Sequence, residues 1–172
     1  MPDYYHASLE IVKAQYPTHI WDKISSYIPG HLEECENVYC YSNGYLINGE
    51  FEELEEYLVQ EGIPFNRSSE GFMEISPERR VYRPNLIDQV IYLNEESEAY
   101  VTTNSLRVLL KRELSPHEIL KKIKELLDEK DPQYPELNSY KILWKKGNEI
   151  PYEPDETISD EDETISVVAV LK

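Results

Sequence analysis

The sequence predicts an α+β fold: a small mixed sheet with helices packed on one face. Three observations lead there. Apolar residues alternate with period two at Ala7, Leu9 and Ile11, and recur at helical spacing at Phe51, Leu54 and Leu58. Helical and extended segments follow one another in mixed order, with helices between strands early and a mostly helical stretch before a final strand. A hydrophobic fraction of 40% over 172 residues is enough for one core. Residues 1–84 read as an acidic α+β lobe, 85–148 as a strand–helix lobe and 149–172 as an acidic loop plus a strand, and all three fit within one domain. The strand–helix–strand opening is compatible with a ferredoxin-like arrangement of the N-terminal half.

In chain order, residues 4–12 read as a strand. A helix follows with Thr18 as N-cap, Trp21, Ile24 and Ile28 on one face, and a stop at Pro29 and Gly30. Residues 37–47 are extended but interrupted at Asn43 and Gly44, a pair that suits a tight hairpin or a bulge. Residues 48–62 predict a helix, with early Glu residues complementing its positive end and Gly62 as the stop. Short strands at 63–65 and 71–75 lead into a basic, proline-bracketed stretch at 76–84. Further strands are expected at 86–93 and 99–102, and a short helix at 105–112 that should bury Leu106, Leu109 and Leu110. The clearest start signal is Ser115 with Pro116 and Glu118, a capping box opening a helix to about Lys130 that should bury Ile119, Leu120, Ile123, Leu126 and Leu127. Residues 140–144 and 165–171 close the chain as strands, the last a continuous apolar run expected to be buried on both faces.

Charge restricts function more than any motif does. The formal net charge is −17. It is unevenly placed: residues 1–86 hold six basic against fifteen acidic side chains, 87–148 hold ten against eleven, and 149–172 hold one against eight. Such a field bears on partners rather than on fold. On the helix at 48–62, Glu52, Glu53 and Glu56 share one sector opposite Phe51, Leu54 and Leu58, with no Lys or Arg in the helix to relieve them. A ladder of that kind can imitate the phosphate line of a nucleic acid, and the bland alternative is a solvated helix face. The second acidic zone holds Glu153, Asp155, Glu156, Asp160, Glu161, Asp162 and Glu163. It lacks the glycine and alternating oxygen ligands of a calcium loop, so no metal site is expected there.

No reaction motif is present. His6, His19, His31 and His117 are scattered, and no nucleophile elbow, zinc-binding helix or phosphate loop occurs, so neither an enzyme nor a cofactor is expected. Cys35 and Cys40 read as two reduced thiols rather than half a metal site. Arg79, Arg80 and Arg83 could clamp an anion, but pairing with the acidic surplus of their own domain is the more economical role. Fourteen tyrosines suit either partly wet sheet faces or an interface. No apolar run reaches membrane-span length and no basic-then-apolar leader is present, so a cytoplasmic protein is expected.

With its size, tyrosines and the carboxylates of 50–61 and 149–163, the chain resembles the acidic inhibitor proteins of phages and plasmids, the antirestriction and anti-CRISPR proteins. The resemblance covers no diagnostic motif, and the signature of the known antirestriction family is absent. It implies a non-enzymatic decoy that binds a basic nucleic-acid-handling protein, without touching nucleic acid itself. The rival expectation is an interaction module that binds through tyrosine-rich patches.

Overall fold

A computed structural model describes residues 4–71, 75–111, 113–154 and 164–172. The fold is α+β. The period-two segment forms β1 (Tyr4–Val12), in which Ala7, Leu9 and Ile11 are fully buried. It is followed by α1 (Thr18–Ser26), β2 (Glu33–Cys35), β3 (Val38–Ile47), α2 (Glu52–Gln60), β4 (Phe65–Ser69), β5 (Glu78–Arg83) and β6 (Ile87–Tyr92). These six strands make one sheet in the order β2-β3-β1-β4-β5-β6.

Every pairing in that sheet is antiparallel, where the sequence suggested a mixed one. The cause is the hairpin directly after α1. The chain returns through the short β2, turns at Glu36 in a left-handed conformation, and places β3 rather than β2 beside β1. Strands β1 to β4 thereby have the order and directions of a ferredoxin-like split βαβ, which β5 and β6 extend without a break at Pro84 and Asn85.

Register decides which side chains share a face. Ile11 pairs with Tyr39 and Phe65, Leu9 with Tyr41 and Arg67, and Phe65 with Tyr82. Both helices lie on this face. α1 contributes buried Ile20 and Ile24 and sets Trp21 against Tyr39. α2 contributes Leu54 and Leu58 and accepts a hydrogen bond from the Tyr82 hydroxyl at the Val59 carbonyl.

Several local expectations change. Thr18 is the first helical residue, not the cap; Pro17 holds the cap position, where its side chain has no acceptor to offer the first amides but its ring fixes the entry φ at −53°. Asn43 and Gly44 do not turn the chain back. β3 runs through them, and the register slips between Tyr5 and Ala7 of β1 as a bulge. α2 begins four residues later than the sequence suggested, because Asn48 and Gly49 adopt positive φ and hold the backbone out of a helix. Its end is as expected: Gly62, with φ 67°, closes a Schellman motif in which the Ile63 amide donates to the Leu58 carbonyl. Residues 99–102 form only a single bridge, Leu93 to Ala99. The predicted strand at 71–75 lies mostly outside the described residues.

The second half holds α3 (Thr103–Leu110), α4 (Pro116–Lys130), a 3₁₀ turn at Leu137–Ser139, β7 (Tyr140–Lys146) and β8 (Ile165–Leu171). The Ser115 capping box is present, with Glu118 accepting from the Ser115 amide and the Ser115 hydroxyl accepting from the Glu118 amide. Ser115→Ala should cost about 1 kcal/mol of stability in chemical denaturation. The hydrogen bonds from Ser115 hold the Glu118 carboxyl below its ordinary pKa. Its contribution is therefore present at neutral pH and is lost as pH falls through that lowered value.

Burial on α4 is not as expected. None of Ile119, Leu120, Ile123, Leu126 and Leu127 is fully buried, and Leu120 and Leu127 are open to solvent; on α3, likewise, Leu109 is only partly buried and Leu106 and Leu110 are exposed. α3 and α4 pack on one another, and α4 is tied to the sheet where the Gln89 side chain donates to the Glu129 carbonyl at 2.7 Å. That geometry covers only part of the apolar stripe. β8 also departs from expectation: among the described residues it pairs with β7 alone, and Ser166 and Leu171 are exposed while Ile165 and Val167 are buried. A two-stranded ribbon has one core side only. Leu137, Tyr140, Ile142 and Val167 join the main core, and the Trp144 indole donates to the Gln15 carbonyl at 3.1 Å.

Candidate acidic binding surface

At 100° per residue, α2 separates its carboxylates by role. Leu54 and Leu58 point into the core, and Glu52, Glu53 and Glu56 are exposed on the opposite side. Among the described residues, no cation lies within 4.0 Å of these three carboxylates. The structure thus brings together the first predicted group and leaves it unneutralised.

Glu55 behaves differently. It falls on the inner flank of α2 next to Leu58 and is only 1% exposed. Its carboxylate accepts from the Phe51 amide at 2.9 Å, at the start of the helix, and from Arg80 Nη1 at 3.0 Å. Arg67, also 1% exposed, brings Nε to 3.3 Å from Glu55 Oε1, within ion-pair distance but not aligned for a hydrogen bond. Arg67 also pairs with Glu78, and Arg80 makes a two-pronged contact to Asp88 with both bonds at 2.9 Å. The hydrogen bonds to Asp88, above all, hold the Arg80 guanidinium more firmly protonated. Glu78, Arg67, Glu55, Arg80 and Asp88 therefore form an alternating chain of charges between α2 and the sheet. The expected pairing of the arginines with their own acidic surplus is found in Arg80.

Sequence reading did not find Glu55 and Arg67, although a signal was present. Glu55 lies about 60° from Leu58 on the helical wheel, and Arg67 holds an inward position in the alternation of Phe65, Arg67 and Ser69. A carboxylate and a guanidinium on two facing apolar sides call for one another.

Beside the exposed row, a cleft of about 390 Å³ opens at the start of α2, floored by Tyr27, Leu46, Phe51 and Leu54 and rimmed by Glu50, Glu52 and Glu53. Burial raises the Glu50 pKa, partly offset by Arg67. A carboxylate so placed gains from a cation brought alongside, and the apolar floor suits the stem of a lysine or arginine.

The second predicted zone is mostly beyond reach: Asp155, Glu156, Asp160, Glu161, Asp162 and Glu163 lie outside the described residues. Glu153 is described and is paired with Lys141, so it is not free in the way Glu52, Glu53 and Glu56 are.

The remaining candidates resolve into structural parts. Arg83 is fully buried and donates to the carbonyls of Phe65, Tyr82 and Pro135 and to Asn66 Oδ1. Among the described residues the Arg79 side chain donates to the Tyr134 hydroxyl alone, at 3.5 Å. His6 stands 3.6 Å from Glu70 in a cleft with Ser8 and Ser68, both acid and imidazole are largely exposed, and neither serine is bonded to the imidazole. Cys35 and Cys40 are free, and burial, with a contact to Cys35, pushes the Cys40 thiol up to about 12. Among the tyrosines whose side chains are described, Tyr16, Tyr41 and Tyr140 are buried, Tyr27 packs on Tyr57 while staying partly exposed, and Tyr92 and Tyr100 are open to solvent. Among the described residues no group of three or more His, Cys, Asp or Glu is disposed around a metal ion, and no helix is long and apolar enough to cross a membrane.

No known protein family matches the chain, and comparison with curated proteins and with solved structures returned no match.

Proposed function

We propose that this protein is an acidic inhibitor that binds a basic, nucleic-acid-handling protein, such as a defence nuclease or CRISPR effector, and blocks its nucleic-acid site by charge mimicry. The observation that supports the reading is selective neutralisation on α2. The inward Glu55 is matched by Arg67 and Arg80, whereas the outward Glu52, Glu53 and Glu56 have no cation among the described residues. Glu52 and Glu56 stand about 6 Å apart along the helix axis. That is close to twice the ~3.4 Å rise of charges along one nucleic-acid strand. Association driven by such a surface is fast and weakens steeply with salt.

The test uses the full chain immobilised as bait in lysate of cells in which the protein is native. A decoy retains nucleic-acid-binding proteins, and these elute with added duplex DNA and with moderate salt. Glu52→Lys, Glu53→Lys and Glu56→Lys combined should reduce retention at least tenfold while leaving the circular dichroism spectrum unchanged, because all three side chains are outside the core. Retention that ignores salt and survives the triple reversal would show that this face is solvated surface only.

A further inference from the structure

On the α3–α4 hairpin the acidic excess of the chain reverses. Residues 103–130 hold seven basic and five acidic side chains, a net of +2 in a chain of −17. The helices also leave apolar area uncovered. Leu106 and Leu110 on α3 are 36% and 66% exposed, and Leu120 and Leu127 on α4 are 66% and 50% exposed.

These leucines lie on one side of the hairpin. A groove on the opposite side is lined by Ser105, Leu109, Leu126 and Glu129, which fixes the rotation of both helices. Stepping ~100° per residue from there, Leu106 and Leu110 of α3 fall beside Leu120, Ile123 and Leu127 of α4. The next positions outward are Arg107 on α3, Lys111 at its C-terminal cap and Lys124 on α4, with Asp128 further round. The other lysines of α4 are paired: Lys121 and Lys122 with Glu125, and Lys130 with Glu129. Arg107, Lys111 and Lys124 are exposed and, among the described residues, have no carboxylate within 4.0 Å.

From this we infer that the open side of α3–α4 is a docking groove for an acidic amphipathic helix of another protein. Two helices packed on one another present a groove into which a third helix packs its apolar ridge, and unpaired cations on both rims select acidic flanks on that helix. A second copy of this chain fits less well, because it would bring Arg107, Lys111 and Lys124 against their own counterparts. An anionic bilayer is disfavoured by the repulsion of the −17 body. The groove does not rest on the decoy reading. α4 meets the sheet at Gln89, whose cross-strand partner is Val81, whereas α2 packs over Phe65 and Tyr82, so the two surfaces are on opposite faces.

The test uses two synthetic peptides as long as α4, each stapled as a helix with leucines at heptad a and d positions. One carries glutamate at the flanking positions and the other lysine. Fluorescence anisotropy with the full chain should show the acidic peptide binding at least tenfold more tightly than the basic one. Lys124→Glu with Arg107→Glu should remove that preference, and Leu120→Glu should weaken the acidic peptide at least tenfold. These side chains are exposed, so an unchanged thermal midpoint is expected for each variant and separates lost docking from lost fold. Equal binding of both peptides, or binding of neither, would overturn the inference. So would sedimentation of a dimer that Leu120→Glu dissociates, or co-flotation with phosphatidylserine vesicles that the same variant abolishes.

Discussion

Arg67→Met is expected to lower unfolding stability by about 3–5 kcal/mol, measured by urea denaturation. The guanidinium sits almost wholly out of water, against Glu55 and Glu78. Removing it leaves Glu55 with Arg80 and the Phe51 amide as its remaining partners in the same desolvated place. The penalty is chiefly that of a buried, under-compensated carboxylate rather than the worth of the lost attraction. Two consequences separate this account from simple loss of packing. Arg67→Met together with Glu55→Gln should recover a large part of the loss, because the buried charge is then gone. Glu52→Gln, one turn earlier on the exposed side, should be nearly neutral. If Arg67→Met proves within about 1 kcal/mol of wild type, the charge chain is not holding α2 to the sheet.

Arg83→Lys should be almost as damaging, about 3 kcal/mol, although it conserves charge. Among the described residues Arg83 has no carboxylate within ion-pair distance; its planar fork is distributed over three carbonyls and Asn66, with its face 5.2 Å from the centre of the Tyr134 ring. Burial lowers the pKa of this group, the opposite of what ion pairing does for Arg80. A lysine ammonium cannot reach all four acceptors at once, and hydrogen bonds from a charged donor contribute ~1.5–3 kcal/mol each. The bond to the Pro135 carbonyl is the shortest of the contacts that tie the segment after α4 to β5, beside the longer one from Arg79 to the Tyr134 hydroxyl. Limited proteolysis should therefore cut the variant near residues 132–139 before the remainder of the chain. An unchanged cleavage pattern would place the anchoring of that segment elsewhere.

How much of this was legible in the sequence follows from the scale of the interactions. Strong local periodicity was readable: Ala7, Leu9 and Ile11 gave β1, and Ser115, Pro116 and Glu118 gave the start of α4. Positive φ at Asn48 and Gly49 was not, and it shortened α2 at its beginning. Periodicity also shows which side of a helix is apolar, but not whether anything covers it. Leu120 and Leu127 match a core stripe as well as Leu54 and Leu58 do, and only the tertiary arrangement separates them. At the candidate surface, helical spacing alone grouped Glu52, Glu53 and Glu56. The partners of Glu55 come from β4 and β5, twelve and twenty-five residues along the chain, so the distinction between spent and unspent carboxylates required the sheet register.

The place of β1 in the sheet bears on how the protein is made. It is translated ahead of both strands that flank it: β3 ends at Ile47 and β4 at Ser69. At ribosomal speed that interval lasts on the order of seconds, during which Leu9, Ile11 and Val12 are emerging or nascent without their eventual neighbours. The segment is short, and the chain around it is strongly anionic, so nascent copies on one polysome repel each other while they wait. The central position of this strand thus makes closure of the sheet a late event, one that cannot precede synthesis of the helix bearing the exposed carboxylates.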